Sequence, residues 1–378
     1  MKHDHILIIR FSALGDVAMT VPVVYSLARQ YPDTRITVLS RPYVRQLFED
    51  LAPNVNFMEA DIKREYRGVK GLNALYRRLV AKQFTHIADL HNVLRSEYLR
   101  MRFNLGRYRV EHINKNRKGK RRLVSQKNKK LEPLPTSIQC YMDVLERLGF
   151  PVKLEFKSIF ATDPSPSPLL ASPDRGGTWG GRDDIQTHPT GNINLLPAIF
   201  GPKKSFEQWI GIAPFAAHQG KIYPTEQMFD VICQLAEKYP QARIFLFGRG
   251  TKEDEHFPKW CQQLPQCINV GWHLETIYEE LILMSHLDVM LTMDSANMHL
   301  ASLVATPVVC VWGATHPYAG FMGYNQPYDN NIQLDMPCRP CSIFGNKPCM
   351  RGDYACMYDI KPEVIVEKII ARIEELKN

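Results

Sequence analysis

Nowhere in this chain do apolar residues continue for the roughly 20 positions that a membrane-spanning helix needs. Runs such as Ile6–Ile9 and Val308–Trp312 are strand-sized. The amino terminus "MKHDHILIIR" also lacks the apolar stretch and small-residue cleavage site of a secretory signal, so a cytoplasmic location is expected. A complete G-x-G-x-x-G fingerprint is missing: "LFGRGTKEDEH" carries Gly248 and Gly250 but no third glycine, which weakens a nicotinamide-dehydrogenase reading. There is no Asp-x-Asp triplet to clamp a divalent ion on a diphosphate, and no repeat of solenoid length.

What remains is an ordinary globular composition, 45% hydrophobic and 23% charged, over 378 residues. That length exceeds what one core usually fills, so two domains are expected. Of nine cysteines, Cys140, Cys233, Cys261, Cys267 and Cys310 are scattered through helix- or strand-like segments, where a reduced thiol behaves as a small apolar group. The others cluster as "CRPCSIFGNKPCMRGDYAC". Cys338, Cys341, Cys349 and Cys356 could hold a structural zinc ion, though the second pair lacks the spacing of a zinc ribbon, and free thiols or a disulfide remain alternatives. The net charge of +8 is unevenly spread: from Arg100 to Lys130 there are thirteen Lys or Arg against one acid, Glu111. Such a run is either a solvated face or a seat for an anionic partner. No helix-turn-helix or RRM-like pattern accompanies it, so nucleic acid is not expected.

Short β-like runs alternate with helical ones twice. "HILIIR", "RITVLS", "VNFMEA" and "FTHIADLH" are separated by helical stretches near 17–31, 43–51 and 71–82. After a gap, "QWIGIAPFA", "ARIFLFG", "CINVG", "DVMLTMD" and "TPVVCVWG" alternate with four more. This is the pattern of two doubly wound parallel sheets. Between the halves lie about 45 residues rich in Pro, Gly and Ser, from Ala161 to Ser205, too long for an ordinary loop and read as an interdomain region with a mobile insertion. The end, "KPEVIVEKIIARIEELKN", spaces Val364, Val366, Ile369, Ile370 and Ile373 as a closing amphipathic helix. The expected boundaries are 1–160, 161–207, 208–358 and 359–378.

Three loops carry candidate chemistry. In "ILIIRFSALGDVAMTVP", Asp16 stands at a strand-to-helix turn, as a helix cap, a ribose or phosphate contact, or a base, with Gly15 allowing a tight turn. In "TMDSANMHLASLVATPVVCVWGATHP", a strand ends at Asp294 and a helix begins at Ser295, Ala296 and Asn297, with His299 one turn in. Its free N–H groups can receive an anion, or Asp294 merely caps it. Lys221 follows another strand end, and Glu253 or Glu255 opens a helix after Gly250, able to complement the helix dipole or hold a ribose hydroxyl.

The first two blocks, in this order and in opposite halves, resemble the heptosyltransferase family of glycosyltransferases, glycosyltransferase family 9. The resemblance implies an α/β fold of the GT-B kind: two Rossmann-like doubly wound parallel-sheet domains facing a cleft, the first holding the acceptor and the second the nucleotide-sugar. It implies inverting, metal-independent transfer, with no cofactor required, of heptose from ADP-heptose or of another sugar from its nucleotide. The acceptor would be a lipopolysaccharide inner-core or related anionic glycolipid, met in peripheral contact with the inner membrane. On this reading Asp16 is the base and Lys221 contacts the diphosphate. Glu253, or else Glu255, holds the ribose, and Asp294, Ser295, Ala296 and His299 line the donor. Ala296 stands where the family usually has glycine. Arg10, Ser12, Arg121 and Arg122 are candidate acceptor contacts. A non-catalytic nucleotide-sugar-binding or scaffold protein of the same fold is the alternative.

Overall fold

The computed structural model describes residues 4–161 and 189–376. Most of the anticipated insertion, residues 162–188, lies outside the described residues. The first half forms a five-stranded sheet of β1 (His5–Ile9), β2 (Arg35–Ser40), β3 (Val55–Glu59), β4 (His86–Asp89) and β5 (Arg109–His112), in the order β3-β2-β1-β4-β5. The second forms a six-stranded sheet of β6 (Trp209–Ala213), β7 (Arg243–Leu246), β8 (Cys267–Asn269), β9 (Val289–Met293), β10 (Val308–Val311) and β11 (Asn331–Ile332), in the order β11-β10-β9-β6-β7-β8. All pairings are parallel. Helices cover the faces: α1 (Leu14–Ala18), α2 (Val21–Gln30), α3 (Gly68–Val80), α4 (Leu94–Leu105), α5 (Arg117–Leu123), α6 (Ser137–Arg147), α7 (Thr225–Lys238), α8 (Thr251–Gln263), α9 (Ile277–Ser285), α10 (Ala296–Leu303), α11 (Ala355–Tyr358) and α12 (Pro362–Glu375).

The almost wholly apolar character of β1, β6, β9 and β10, broken by His5 and Thr292, follows from this layering, because a strand covered on both faces has no side to leave wet. In each sheet the strand order reverses once, between β1 and β4 and between β6 and β9. Ligands of open α/β sheets bind at the carboxyl ends of the strands beside such a reversal. Those two strand ends carry the loops to Asp16 and to Asp294.

The helix expected near 17–31 is two helices. The chain breaks after α1 and restarts with Pro22 in the first turn of α2, where a missing N–H costs nothing. The helix expected near 43–51 is a 3-10 segment over Pro42–Leu47. The basic run 100–130 folds as the end of α4, β5 and α5. Its strand escaped notice because "RVEH" pairs on one side only and mixes charged with apolar residues. Helix α6 was also missed, although Thr136 and Gln139 form a reciprocal cap at its start. In α12, Ile365, Val366, Ile369 and Ile373 pack into the second domain's core against α7, β9 and β10, while Val364 is exposed.

The two domains touch through α1 and α10. Gly15 lies inside α1, so its contribution is not a special turn. An ideal Cβ there would stand 2.5 Å from His299 Cδ2 and 3.4 Å from Ala296 Cα, so only glycine allows the approach. Backbone bonds from Leu134 to Tyr318 and from Ser137 to Gly320 also bridge the halves. Lys129 Nζ donates across the same boundary to the carbonyls of Pro337 and Arg339, both at 2.9 Å.

Candidate active site

Two hollows meet at Asp16. A larger one of about 830 Å³ lies against the second domain, lined by Lys221, Glu253, Asp294, Ser295, Ala296 and His299. A smaller one of about 230 Å³ lies in the first domain, lined by Arg10, Ser12, His91, Lys115, Lys120 and Tyr141. Ala13, Asp16, Phe321 and Phe344 belong to both.

Asp16 performs the cap and presents a carboxylate at once. Its Oδ2 accepts from the Ala13 N–H at 3.2 Å and pairs with Arg10 Nη2 at 2.8 Å, and neither contact uses Oδ1. Burial would raise its pKa, but the Arg10 guanidinium and the Ala13 N–H outweigh that and hold it below the usual carboxylate range. The group is therefore ionised at neutral pH. Arg10 is buried, gives Nη1 to the Leu90 carbonyl at 2.6 Å and packs over the Tyr141 ring. Its expected service as an acceptor contact is thus overlaid by a second one, holding Asp16 in place. Tyr141 adds a 3.3 Å bond from its hydroxyl to the Asp16 carbonyl.

Across the cleft, Lys221 reaches from a short turn after β6 and places Nζ 3.0 Å from Asp294 Oδ2. The approach is an ion pair by distance without hydrogen-bond alignment. Ser295 precedes α10 in extended conformation and makes no side-chain cap bond, leaving the first N–H groups of the helix to the hollow. His299 is buried, and its Nδ1 has no hydrogen-bond partner among the described residues. Burial pushes this ring down to about 4 against the opposing pull of Asp294 and Asp16, so it is neutral at physiological pH.

That depression has a measurable consequence. Because the ring resists protonation when folded, its contribution to stability is full above about 6.5 and falls as the pH drops towards 4. At pH 5 the loss from this residue is about 2 kcal/mol. A His299→Asn chain is therefore expected to lose less of its urea midpoint than the parent between about pH 7 and pH 5. Equal losses in the two proteins would remove the assignment.

Glu253 stands in the first turn of α8 beneath the loop before it. Gly248 and Gly250 there have positive φ, and an ideal Cβ on Gly248 would meet Glu253 Oε1 at 2.8 Å. Glu255 is exposed and does not line the hollow, so of the two acids only Glu253 reaches it. Arg121 and Arg122 are exposed on α5 and line neither hollow; Lys120, one residue earlier, does. Each step along a helix turns the side chain by about 100°, so adjacent basic residues cannot share one target. The Lys120 ammonium lies 4.4 Å from the centre of the Phe321 ring.

Lys115, Lys120, His91, Phe321 and Phe344 had no motif to betray them. The basic run was the one signal for the two lysines. Glu280 was also missed: it is buried, lines the larger hollow and is paired with Arg249 at 2.7 Å.

The cysteine tail does not form the zinc quartet that its spacing suggested. Among the described residues no group of three or more His, Cys, Asp or Glu stands where it could hold a metal ion. Cys338, Cys341, Cys349 and Cys356 are free thiols, and burial pushes that of Cys356 up to about 11.

Two parallel α/β domains that face each other with their strand-order reversals opposed define the GT-B class of glycosyltransferase folds. Residues 181–348 match the family model "Glycosyltransferase family 9 (heptosyltransferase)". The chain is similar to the lipopolysaccharide core heptosyltransferase OpsX of Haemophilus influenzae, with 22% identity covering 98% of this chain and 96% of that one. It is also 30% identical over 140 residues to lipooligosaccharide heptosyltransferase 2 of Campylobacter jejuni, a match covering 33% of this chain. That match spans 40% of the relative's own length. The solved structure of E. coli ADP-heptose lps heptosyltransferase II superposes with a TM-score of 0.62 at 18% identity, covering 99% of this chain and 100% of that one, which speaks for the fold. Over residues 181–348 the chain is thus similar to the heptosyltransferases of glycosyltransferase family 9, and one such enzyme can be aligned along nearly its whole length.

Proposed function

We propose that this protein transfers a sugar, heptose from ADP-heptose, onto an anionic lipopolysaccharide-core glycolipid with inversion at the anomeric carbon. The observation that carries the reading is that Asp16 borders both hollows at once. A donor in the larger hollow and an acceptor in the smaller one would meet at its carboxylate.

A hydroxyl is a poor nucleophile until its proton has somewhere to go, and a positioned base supplies roughly 10² to 10⁴ in rate. Asp16 Oδ1 takes that proton as the acceptor oxygen bonds to the anomeric carbon. The bond from that carbon to the diphosphate breaks from the opposite face, and negative charge grows on the departing oxygen. The Lys221 ammonium and the free N–H groups at the start of α10 are preorganised for that charge. Glu253 would accept from ribose hydroxyls, and neutral His299 would form part of the wall against which the donor lies. The Gly15 contact closes the domains over the reacting atoms and limits hydrolysis. Lys115 and Lys120 give the acceptor hollow its affinity for an anionic group. The reaction would run at the cytoplasmic face of the inner membrane, where such an acceptor is anchored. Among the described residues no helix is long and apolar enough to cross a membrane, so contact would be peripheral.

The test is a thermal-shift screen of nucleotide-sugars. Stabilisation of about 3 kcal/mol is expected for an ADP-sugar at a hundredfold excess over its dissociation constant, with little from UDP- or GDP-sugars. No response to any of them would favour a scaffold protein.

A further inference from the structure

Helix α4 has two apolar faces. Ser96, Leu99 and Phe103 point into the first domain and are buried. On the opposite side Leu94, Met101 and Leu105 are 85%, 49% and 76% exposed. At about 100° per residue these three lie within about 40° of one line, which runs about 16 Å along the helix. A helix that is apolar on both sides is ordinarily buried on both. Here the second side is bare.

The surroundings of this line are basic. Arg95, Arg107, Arg117, Lys118, Arg121 and Arg122 form no ion pair among the described residues. The patch is also joined to the candidate active site. A hollow of about 530 Å³ is lined by Leu94 together with Lys115 and Arg117. Both cations also line a neighbouring hollow of about 680 Å³ with Lys118 and Asn114. Lys115 and Asn114 in turn line the acceptor hollow that holds Asp16. A path lined mostly by cations, with Glu97 and Asp143 the acids on it, therefore leads from Leu94 to the carboxylate.

From this juxtaposition we infer that the exposed face of α4, with the cations of α5 beside it, seats the protein on an anionic lipid surface. Leucine and methionine enter the interface, and arginine and lysine meet the headgroups. The inference rests on the glycolipid-acceptor reading and extends it: the sugar of a membrane-anchored acceptor would run along the basic path to Asp16 while its acyl chains stay in the bilayer. Arg121, one helical turn after Arg117 on α5, then faces the headgroups.

The experiment is co-sedimentation of the full chain with vesicles of phosphatidylcholine containing about one part in three of phosphatidylglycerol, and with phosphatidylcholine alone. The expected result is binding to the first and little to the second, weakened by salt. A Leu94→Asp/Leu105→Asp chain should bind the anionic vesicles at least about tenfold more weakly. Its melting temperature and its shift by an ADP-sugar should match the parent's. Unchanged vesicle binding by this variant overturns the inference, even if the response to ADP-sugar is intact. So does a parent chain that ignores the vesicles but forms a dimer that the variant dissolves, because the stripe is then a contact between two copies. A parent that binds vesicles through the stripe yet shows no response to any nucleotide-sugar would instead refute the transferase reading alone.

Discussion

An Asp16→Asn chain is expected to bind an ADP-sugar about as well as the parent and to transfer it roughly 10² to 10⁴ times more slowly. The amide keeps the shape and can still accept from the Ala13 N–H, but it cannot take a proton from an acceptor hydroxyl. It also leaves the buried Arg10 guanidinium without its anion, so a loss of about 2 kcal/mol in stability should accompany the loss of rate. The two effects separate experimentally. Isothermal titration with the donor reads binding, and single-turnover transfer read by mass spectrometry reports the chemistry. Transfer within about threefold of the parent would remove Asp16 from the role of base.

A Lys221→Gln chain should lose about 10² to 10³ in kcat/KM through weaker stabilisation of the departing diphosphate. It should also lose stability, since Asp294 is 5% exposed and its carboxylate would be buried without a counter-charge. A structural role alone makes a different forecast. Pairing Lys221→Gln with Asp294→Asn removes both charges, so the melting temperature should recover. Transfer should not recover, because the cation that meets the diphosphate is still missing. Recovery of both would mean that Lys221 serves only to neutralise Asp294.

The cleft explains a tension in the sequence. Asp16 looked like a cap, a ligand contact or a base, and the structure shows that the cap and Arg10 share Oδ2 and leave Oδ1 outside both contacts, while both lower the carboxylate's pKa. Gly15 was legible as necessary but for the wrong reason. Its constraint comes from His299 in the other half of the chain, and no local rule of backbone geometry could have revealed that. The cysteine spacing left zinc, free thiols and a disulfide open, and among the described residues the four are free thiols in no group of three or more that could hold a metal ion.

The sequence alone determined the two parallel sheets, because strands buried on both faces must be almost wholly apolar and the helices between them must repeat at their own period. It also marked the loops that border the larger hollow, since Asp16, Lys221, Glu253 and Asp294 follow strand ends that local patterning marks. Which side chains share a space was decided only by the tertiary structure. Lys120 rather than Arg121 lines the hollow beside Asp16 because of the phase of one short helix, and Glu253 rather than Glu255 reaches the larger hollow because it lies in the first turn of α8, under the glycine loop. The meeting of Asp16 with His299 depends on two domains docking through a contact that has no room for a single methyl group. Local sequence encodes periodicity and turn chemistry; distance between residues far apart in the chain arises only when their surfaces pack.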